Sequence, residues 1–495
     1  MGPVFDAARA QADARPVPDA ALVHPPSQDA GAAADVQVAP DARVAADGGP
    51  ADAARVAIPP LPWNDDPCAT LDVGDDPFAD VVGAFSSADD AAPPPAGGLV
   101  VVGSSSIRRW EDAQRVLSDW DPIQRGVGGA RLADIARWVD PLILRHRPSA
   151  VLIYAGTNDL ADGRTPDSVV DAYRCLATRV HAAQPGTPLL WVGITPTPAR
   201  WADWAAAAEV NRRISALADQ HPSLVYVDSV ADFLATGSPP DASLFVADGL
   251  HLSVSGYALW GADLRAAVAA NVPPSARPLP EGPPPGTLIR LDLGPSNPED
   301  GQLAPATDAF GIRWNAWPGA HGSDQILAGL ALRGLVSTRG APTHVDAVIA
   351  GGFRSNGLRN GGLVSPDGAR LGTLAVAEAT EDFFYFGDPD DPGGLTLQGL
   401  TPNAPHTLRL FASRASADER RTTRFVVNGS GPPVEGAVLT TGPGIGADGS
   451  DANVGNLVVL HGVRADVRGR LHLDVQIAEG TYAYLNLLEL EVEGP

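Results

Sequence analysis

Four short blocks carry the side chains that can do chemistry together. Ser105 sits in Gly103-Ser104-Ser105-Ser106 after the apolar run Leu99 to Val102, and Asn158 in Gly156-Thr157-Asn158-Asp159 after Val151 to Tyr154. Between them lies Arg125-Gly126-Val127-Gly128-Gly129, and further on Asp248-Gly249-Leu250-His251. A serine hydroxyl is a weak nucleophile without a base. His251 can be that base, and Asp248 can accept the hydrogen bond of its other ring nitrogen, fixing the tautomer and stabilising the imidazolium. Attack on an ester carbonyl also requires donors for the developing oxyanion, and three are available: the backbone N–H of Ser105, the backbone N–H of Gly129 and the side-chain amide of Asn158. Taken singly, each block has a plainer use, as a Gly-Ser loop, an Asn/Asp turn, a close-packing glycine pair or a helix cap. Their joint occurrence in this order points to a hydrolase site.

The elements that must position these blocks can be read from periodicity. Apolar runs at Leu99 to Val102, Ala150 to Tyr154, Leu189 to Ile194 and Leu224 to Val227 read as strands. Helices are expected over about 131–145, 166–183, 205–220 and 253–270, with a further helical face of Phe78, Val81, Val82 and Phe85 ahead of the first strand. Regular alternation implies right-handed crossovers and a parallel sheet covered on both faces, an α/β fold whose ligands sit at the carboxyl ends of the strands. Residues 77–272 are the expected catalytic domain. Pro273 to Gly286, dense in proline, predicts an extended spacer. From 287 to 495 the texture changes to short strands, among them Thr287 to Leu293, Phe383 to Phe386 and Leu471 to Ile477, separated by Gly, Pro, Asn and Asp; the expectation is an all-β sandwich.

The four blocks resemble the SGNH, or GDSL-like, hydrolase superfamily, whose name lists the Ser, Gly, Asn and His that match Ser105, Gly129, Asn158 and His251. The wording is similar to an esterase branch with Gly-Ser-Ser-Ser-Ile-Arg-x-Trp, here Gly103 to Trp110, and extends through Thr195-Pro196-Thr197-Pro198-Ala199-Arg200-Trp201. The resemblance implies a flavodoxin-like three-layer fold, O-acyl ester cleavage through Ser105, Asp248 and His251, and no metal or cofactor. Ser104 stands where the broader family has Asp, which weakens any transfer of substrate class from Asp-containing relatives. Asp248 and His251 also lack a third candidate metal ligand. Trp201 and Trp204, after a Pro-rich turn at a strand end, are candidate walls of the acyl or alcohol pocket, with Arg200 a candidate contact to a polar alcohol. Trp110 reads as core.

The 287–495 region resembles galactose-binding-like or malectin-like sandwiches in texture, through Leu291-Asp292-Leu293-Gly294 and Thr407 to Phe411. Trp314, Trp317, Tyr385 and Tyr482 are candidate sugar-stacking rings or core residues in equal measure. The expected function is hydrolysis of short O-acyl esters, carried on carbohydrate or another small ester. The alternatives are a lipid-directed acetylhydrolase or lysophospholipase, and a glycan-binding adhesion protein with a relic hydrolase domain.

Composition narrows the partners. The chain has 495 residues, a formal net charge of −24 and no lysine, which excludes a nucleic-acid partner, since phosphate binding needs clustered cations. No apolar stretch reaches the roughly 20 residues of a membrane-spanning helix. Residues 1–76 read as an Ala/Asp/Pro-rich disordered linker, of the kind that tethers exported enzymes, although no signal peptide is visible. Cys68 and Cys175 are too few to define a framework and are expected as unpaired thiols.

Overall fold

A computed structural model describes residues 58–71, 74–295, 298–318, 325–415 and 418–494. The linker expected over most of 1–76 therefore lies largely outside the described residues. Five strands, β1 Leu99–Gly103, β2 Ile123–Gly126, β3 Ala150–Tyr154, β4 Leu189–Val192 and β5 Leu224–Val227, form one parallel sheet in the order β2-β1-β3-β4-β5. This is a doubly wound order, with the crevice for ligands where the chain reverses direction between β1 and β3. Along β1 the side chains alternate between two cores. Val100 and Val102 join Val151 and Ile153 on one face, and Leu99 and Val101 join Leu152, Trp110 and Trp260 on the other.

β2 was not legible as a strand, because Gln124 and Arg125 interrupt its apolar character. Both side chains are buried, and their donors find partners outside the strand. Gln124 Nε2 donates to the carbonyl oxygens of Ile107 (2.6 Å) and Trp110 (3.1 Å), and Arg125 pairs with Asp89 at 2.6 Å. The helix expected over 131–145 is divided into Leu132–Arg137 and Val139–Leu142. Pro141 has no N–H to continue the ladder back to Arg137. The helices Pro166–Ala183, Trp204–Ala218 and Val254–Asn271 lie close to their expected spans.

Two sequence expectations need correction at the amino-terminal edge of the α/β region. Residues 58–71 are packed rather than free: Leu61, Trp63, Cys68 and Leu71 lie against its core, and Trp63 Nε1 donates to Thr178 Oγ1 at 3.0 Å. Cys68 and Cys175 are joined in a disulfide, which ties this segment to the helix Pro166–Ala183. The spacer Pro273 to Gly286 contains no helix or strand, yet it is anchored, with Ser275 N–H donating to the Asp119 carbonyl (2.8 Å) and Arg277 pairing with Asp121 (3.1 Å).

The remaining strands build three sheets. One has the spatial order Val434–Thr441, Arg421–Asn428, Arg470–Glu479, Gly393–Gln398, Asp346–Ile349 and Ala331–Leu332; a second has Val458–Arg464, Pro405–Phe411, Leu487–Val492, Leu288–Leu293 and Asn315–Trp317. A four-stranded sheet, Ala483–Leu485, Phe383–Phe386, Phe353–Asn356 and Gln325–Ile326, completes this strand-rich sandwich. Its inner faces share one core that includes Ile289, Leu291, Phe353, Phe425 and Leu473. Trp314 and Trp317 are buried in the sandwich, so neither is a sugar-stacking platform, whereas Tyr482 is exposed beside Tyr385.

From Ile58 onward the chain is a single compact unit. Leu327, from the sandwich side, is inserted into the α/β core, and Gly329 lies so close to β2 that a Cβ there would fall 2.2 Å from the Gln124 carbonyl oxygen. Arg470 crosses the same boundary to Asp121 (2.9 Å). Among the described residues, no helix is long and apolar enough to cross a membrane.

Candidate active site

The carboxyl ends of β1, β2 and β3 lie in register, Gly103 opposite both Gly126 and Tyr154. The three loops that follow therefore emerge side by side. The loop after β1 turns directly into the four-residue helix Ser105–Arg108, with Ser104 buried at its cap and Ser105 as its first residue. First-turn N–H groups have no partner within their own helix, so the Ser105 N–H is free of the helical ladder. Gly126 makes this tight turn possible. A Cβ there would lie 2.2 Å from Arg108 N, a separation that no side chain can occupy.

Gly129 follows with φ +82°, a left-handed conformation that a side chain would strain. The block after β3 is stitched onto this loop. Asn158 Nδ2 donates to the Ala130 carbonyl at 3.0 Å, and the buried Asp159 carboxyl accepts from Leu132 N–H at 3.0 and 3.2 Å, capping the helix Leu132–Arg137. A primary amide has two N–H bonds, so Asn158 keeps one beyond the bond to Ala130.

Asp248 and His251 form a turn whose own carboxylate organises it. Asp248 Oδ1 accepts from the N–H groups of Leu250 (2.7 Å) and His251 (2.9 Å), while Oδ2 meets His251 Nδ1 at 2.6 Å. Burial alone would raise this carboxyl, but the hydrogen bonds from the His251 ring and from the two backbone N–H groups outweigh it, holding Asp248 below the usual carboxylate range. At the other end of the imidazole, His251 Nε2 lies 2.9 Å from Ser105 Oγ. The structure thus joins Ser105, His251 and Asp248 in one chain of hydrogen bonds, although Ser105 and His251 are 146 residues apart. Part of the Asp248 side chain faces solvent, so the site is open on that side.

Three residues that sequence reasoning did not assign to the site support it. Tyr257, one turn into the helix that follows His251, donates its hydroxyl to the Ser106 carbonyl at 2.8 Å, tying the histidine's helix to the serine's. Burial pushes the Tyr257 phenol well up, which keeps it a donor. Asp159 acts through the Leu132 N–H, and Arg108, at the end of the serine's helix, donates to Asp391 at 3.0 Å. Asp159 and Arg108 lie inside blocks the sequence singles out, but nothing in those blocks says what either side chain meets, and Tyr257 carries no signal at all.

The candidate substrate contacts fare differently. Arg200 uses its guanidinium on the Thr157 carbonyl (3.2 Å), within the Asn158 block. Trp204 packs against the α/β core, and Trp201 stacks on it with ring centroids 6.2 Å apart. Trp110 is fully buried, edge-on to Trp260. Among the described residues, no group of three or more His, Cys, Asp or Glu side chains is arranged to hold a metal ion.

Asp159 makes a pH dependence testable. Burial, with the Asp134 charge nearby, raises its carboxyl from 3.8 to about 6, against the opposing Leu132 hydrogen bond. The folded state therefore holds a proton that the unfolded chain releases, so the stability this group contributes is full below about pH 4 and is lost as pH rises through about 6. Asp159→Asn keeps an oxygen for Leu132 N–H and cannot ionise. Thermal unfolding at about pH 4.5 and about pH 7.5 should show the variant gaining on the parent at the higher pH; an identical difference at both values would remove Asp159 as the source.

Residues 96–259 match the model of the GDSL-like Lipase/Acylhydrolase family. Among solved structures, the chain is similar to a GDSL-like lipase from Bacteroides thetaiotaomicron, at 18% identity over 38% of this chain and 97% of that one, with a TM-score of 0.34. It is also similar to a lipase/acylhydrolase from Enterococcus faecalis (18% identity, 36% and 100% covered, TM-score 0.31) and to a carbohydrate esterase family 3 protein from Talaromyces cellulolyticus (21%, 35% and 97%, TM-score 0.30). No curated protein matches the chain.

Proposed function

From a GDSL-like lipase/acylhydrolase domain at residues 96–259, we propose a serine esterase that removes short acyl groups, above all acetyl, from a carbohydrate alcohol. The observation that carries this reading is the hydrogen-bonded chain Ser105–His251–Asp248 at the carboxyl edge of the sheet, beside Gly129 and Asn158. Ser105 Oγ attacks the ester carbonyl as its proton passes to His251 Nε2. The C=O electrons move onto oxygen, which faces the N–H groups of Ser105, Gly129 and Asn158. Collapse of this intermediate expels the alcohol, which takes the proton from His251, and leaves an acyl-serine. Water, deprotonated by His251, then attacks the acyl carbon and releases the acid and free Ser105.

Two features support a polar, bulky alcohol. The acid–base pair is open to solvent at Asp248, and the sandwich presents Tyr482 beside Tyr385 on its surface, where rings can stack on sugar. The Cys68–Cys175 disulfide supports an exported protein, since such bonds persist in oxidising compartments.

The test is hydrolysis of p-nitrophenyl esters from acetate to octanoate, followed by acetylated polysaccharides. Turnover should be highest on acetate and fall with chain length. A maximum on the longer chains would overturn the short-acyl assignment in favour of a lipid substrate, and no hydrolysis of any ester, with glycan binding retained, would favour a binding protein.

A further inference from the structure

The four-residue helix that begins with Ser105 ends at Arg108 and is followed by Arg109, and both arginines reach across to the sandwich. Arg108 Nη1 donates to Asp391 Oδ2 at 3.0 Å, with both side chains largely buried; Arg109 Nη2 donates to Asp388 Oδ2 (3.2 Å) and to the Asp390 carbonyl (3.0 Å). Asp388 to Asp391 lie in the loop between the strands Phe383–Phe386 and Gly393–Gln398. Asp391 is itself held in place. Its N–H donates to the Asp388 carbonyl at 3.0 Å, and its carboxylate lies against Gly352, where a Cβ would fall 2.6 Å from Oδ1.

Arg108 also touches the loop that carries Gly129. Its backbone abuts Gly126, and its side chain passes over Gly128, where a Cβ would fall 3.2 Å from Nε. One side chain therefore spans the nucleophile's helix, the glycine loop and the sandwich. The surroundings are strongly acidic: Glu111, Asp112, Asp390 and Asp474 line a cleft of about 400 Å³ at this junction, with Arg109 as its cation. Burial, then the charges of Asp391, Asp474 and Asp112, pushes the Glu111 carboxyl well above its usual range. Arg108 on Asp391, Arg109 on Asp388 and Arg115 on Asp112 are the cations set against this acidic face.

We infer that Asp391, acting through Arg108, is a positioning residue of the esterase site: the sandwich fixes the nucleophile's helix against the Gly128–Gly129 loop that supplies the oxyanion donor. The inference rests on the esterase reading above. Its physical content is alignment, and a misplacement of about 1 Å in a catalytic group can cost on the order of 100-fold.

The test compares Asp391→Ala, Asp391→Asn and Arg108→Lys with Asp388→Ala, whose side chain is 56% exposed, so that its loss should matter little. With p-nitrophenyl acetate, Asp391→Ala should lose about 10-fold to 100-fold in kcat with KM nearly unchanged. Arg108→Lys, which keeps the charge, should lose less than Asp391→Ala, and Asp388→Ala should stay close to the parent. Hydrogen–deuterium exchange on the same proteins should show faster exchange in Asp391→Ala at both 105–109 and 126–130. Unchanged kcat, or faster exchange confined to 386–392, would overturn the inference. If the parent protein hydrolyses no ester, the esterase reading falls by itself, and the exchange pattern still decides whether Asp391 orders the two segments.

Discussion

Ser105→Ala is expected to lower ester turnover by about a million-fold, the scale seen when a triad serine is removed. His251 Nε2 has Ser105 Oγ as its partner at 2.9 Å, and without that oxygen the imidazole has no nucleophile to activate. Turnover should not fall to the rate in water. The Ser105 N–H survives the substitution, as do Gly129 and Asn158, and oxyanion donors with substrate binding alone retain on the order of 1,000-fold over water. The side chain is small and lies at the start of a four-residue helix, so folding should be untouched. The measurement is kcat on p-nitrophenyl acetate, together with covalent labelling by a fluorophosphonate, which should mark the parent at one residue and the variant at none. Retention of even one per cent of parental turnover would mean that another group is the nucleophile.

Asn158→Ala should cost about 100-fold to 1,000-fold in kcat, with a small change in KM, because the donor acts on charge that develops only in the transition state. Two effects combine here. The variant loses the N–H proposed to face the oxyanion, and it also loses the bond to the Ala130 carbonyl, next to Gly129. Asn158→Asp keeps the size of the side chain but loses both N–H donors, the one to the Ala130 carbonyl included, and adds a negative charge. It should be at least as damaging as alanine. Near-normal turnover in Asn158→Ala would remove this residue from the site.

Much of this architecture was legible because it is local. A buried parallel strand is a run of apolar residues, and a strand-to-helix turn bearing Gly and Ser is written in a few consecutive positions, so β1, β3, β4 and β5 and the blocks around Ser105, Asn158 and His251 could be read directly. What was hidden depends on partners distant in sequence. β2 holds Gln124 and Arg125, whose burial is tolerable only because the carbonyls of Ile107 and Trp110 and the carboxylate of Asp89 come to meet them. Cys68 and Cys175 are 107 residues apart, and nothing local says that they meet. Arg200 could not be assigned from sequence, because an arginine reads the same whether its acceptor is a substrate or the Thr157 carbonyl. The docking of Asp391 on Arg108 spans 283 residues and has no periodicity to announce it.

The insertion of Leu327 and Gly329 against β2 bears on how far the two halves are interchangeable parts. β2 is the outermost strand of the parallel sheet, and the chain segment at Gly329 covers its open side. Cutting the protein at the proline-rich spacer would leave a hole where Leu327 sits and bare a row of unpaired backbone groups, the template on which sheets of separate molecules join. The α/β half made alone is thus expected to stick to itself. Shuffling it onto another partner would require a replacement for that plug, so the pair behaves as one folded unit rather than as two beads on a string.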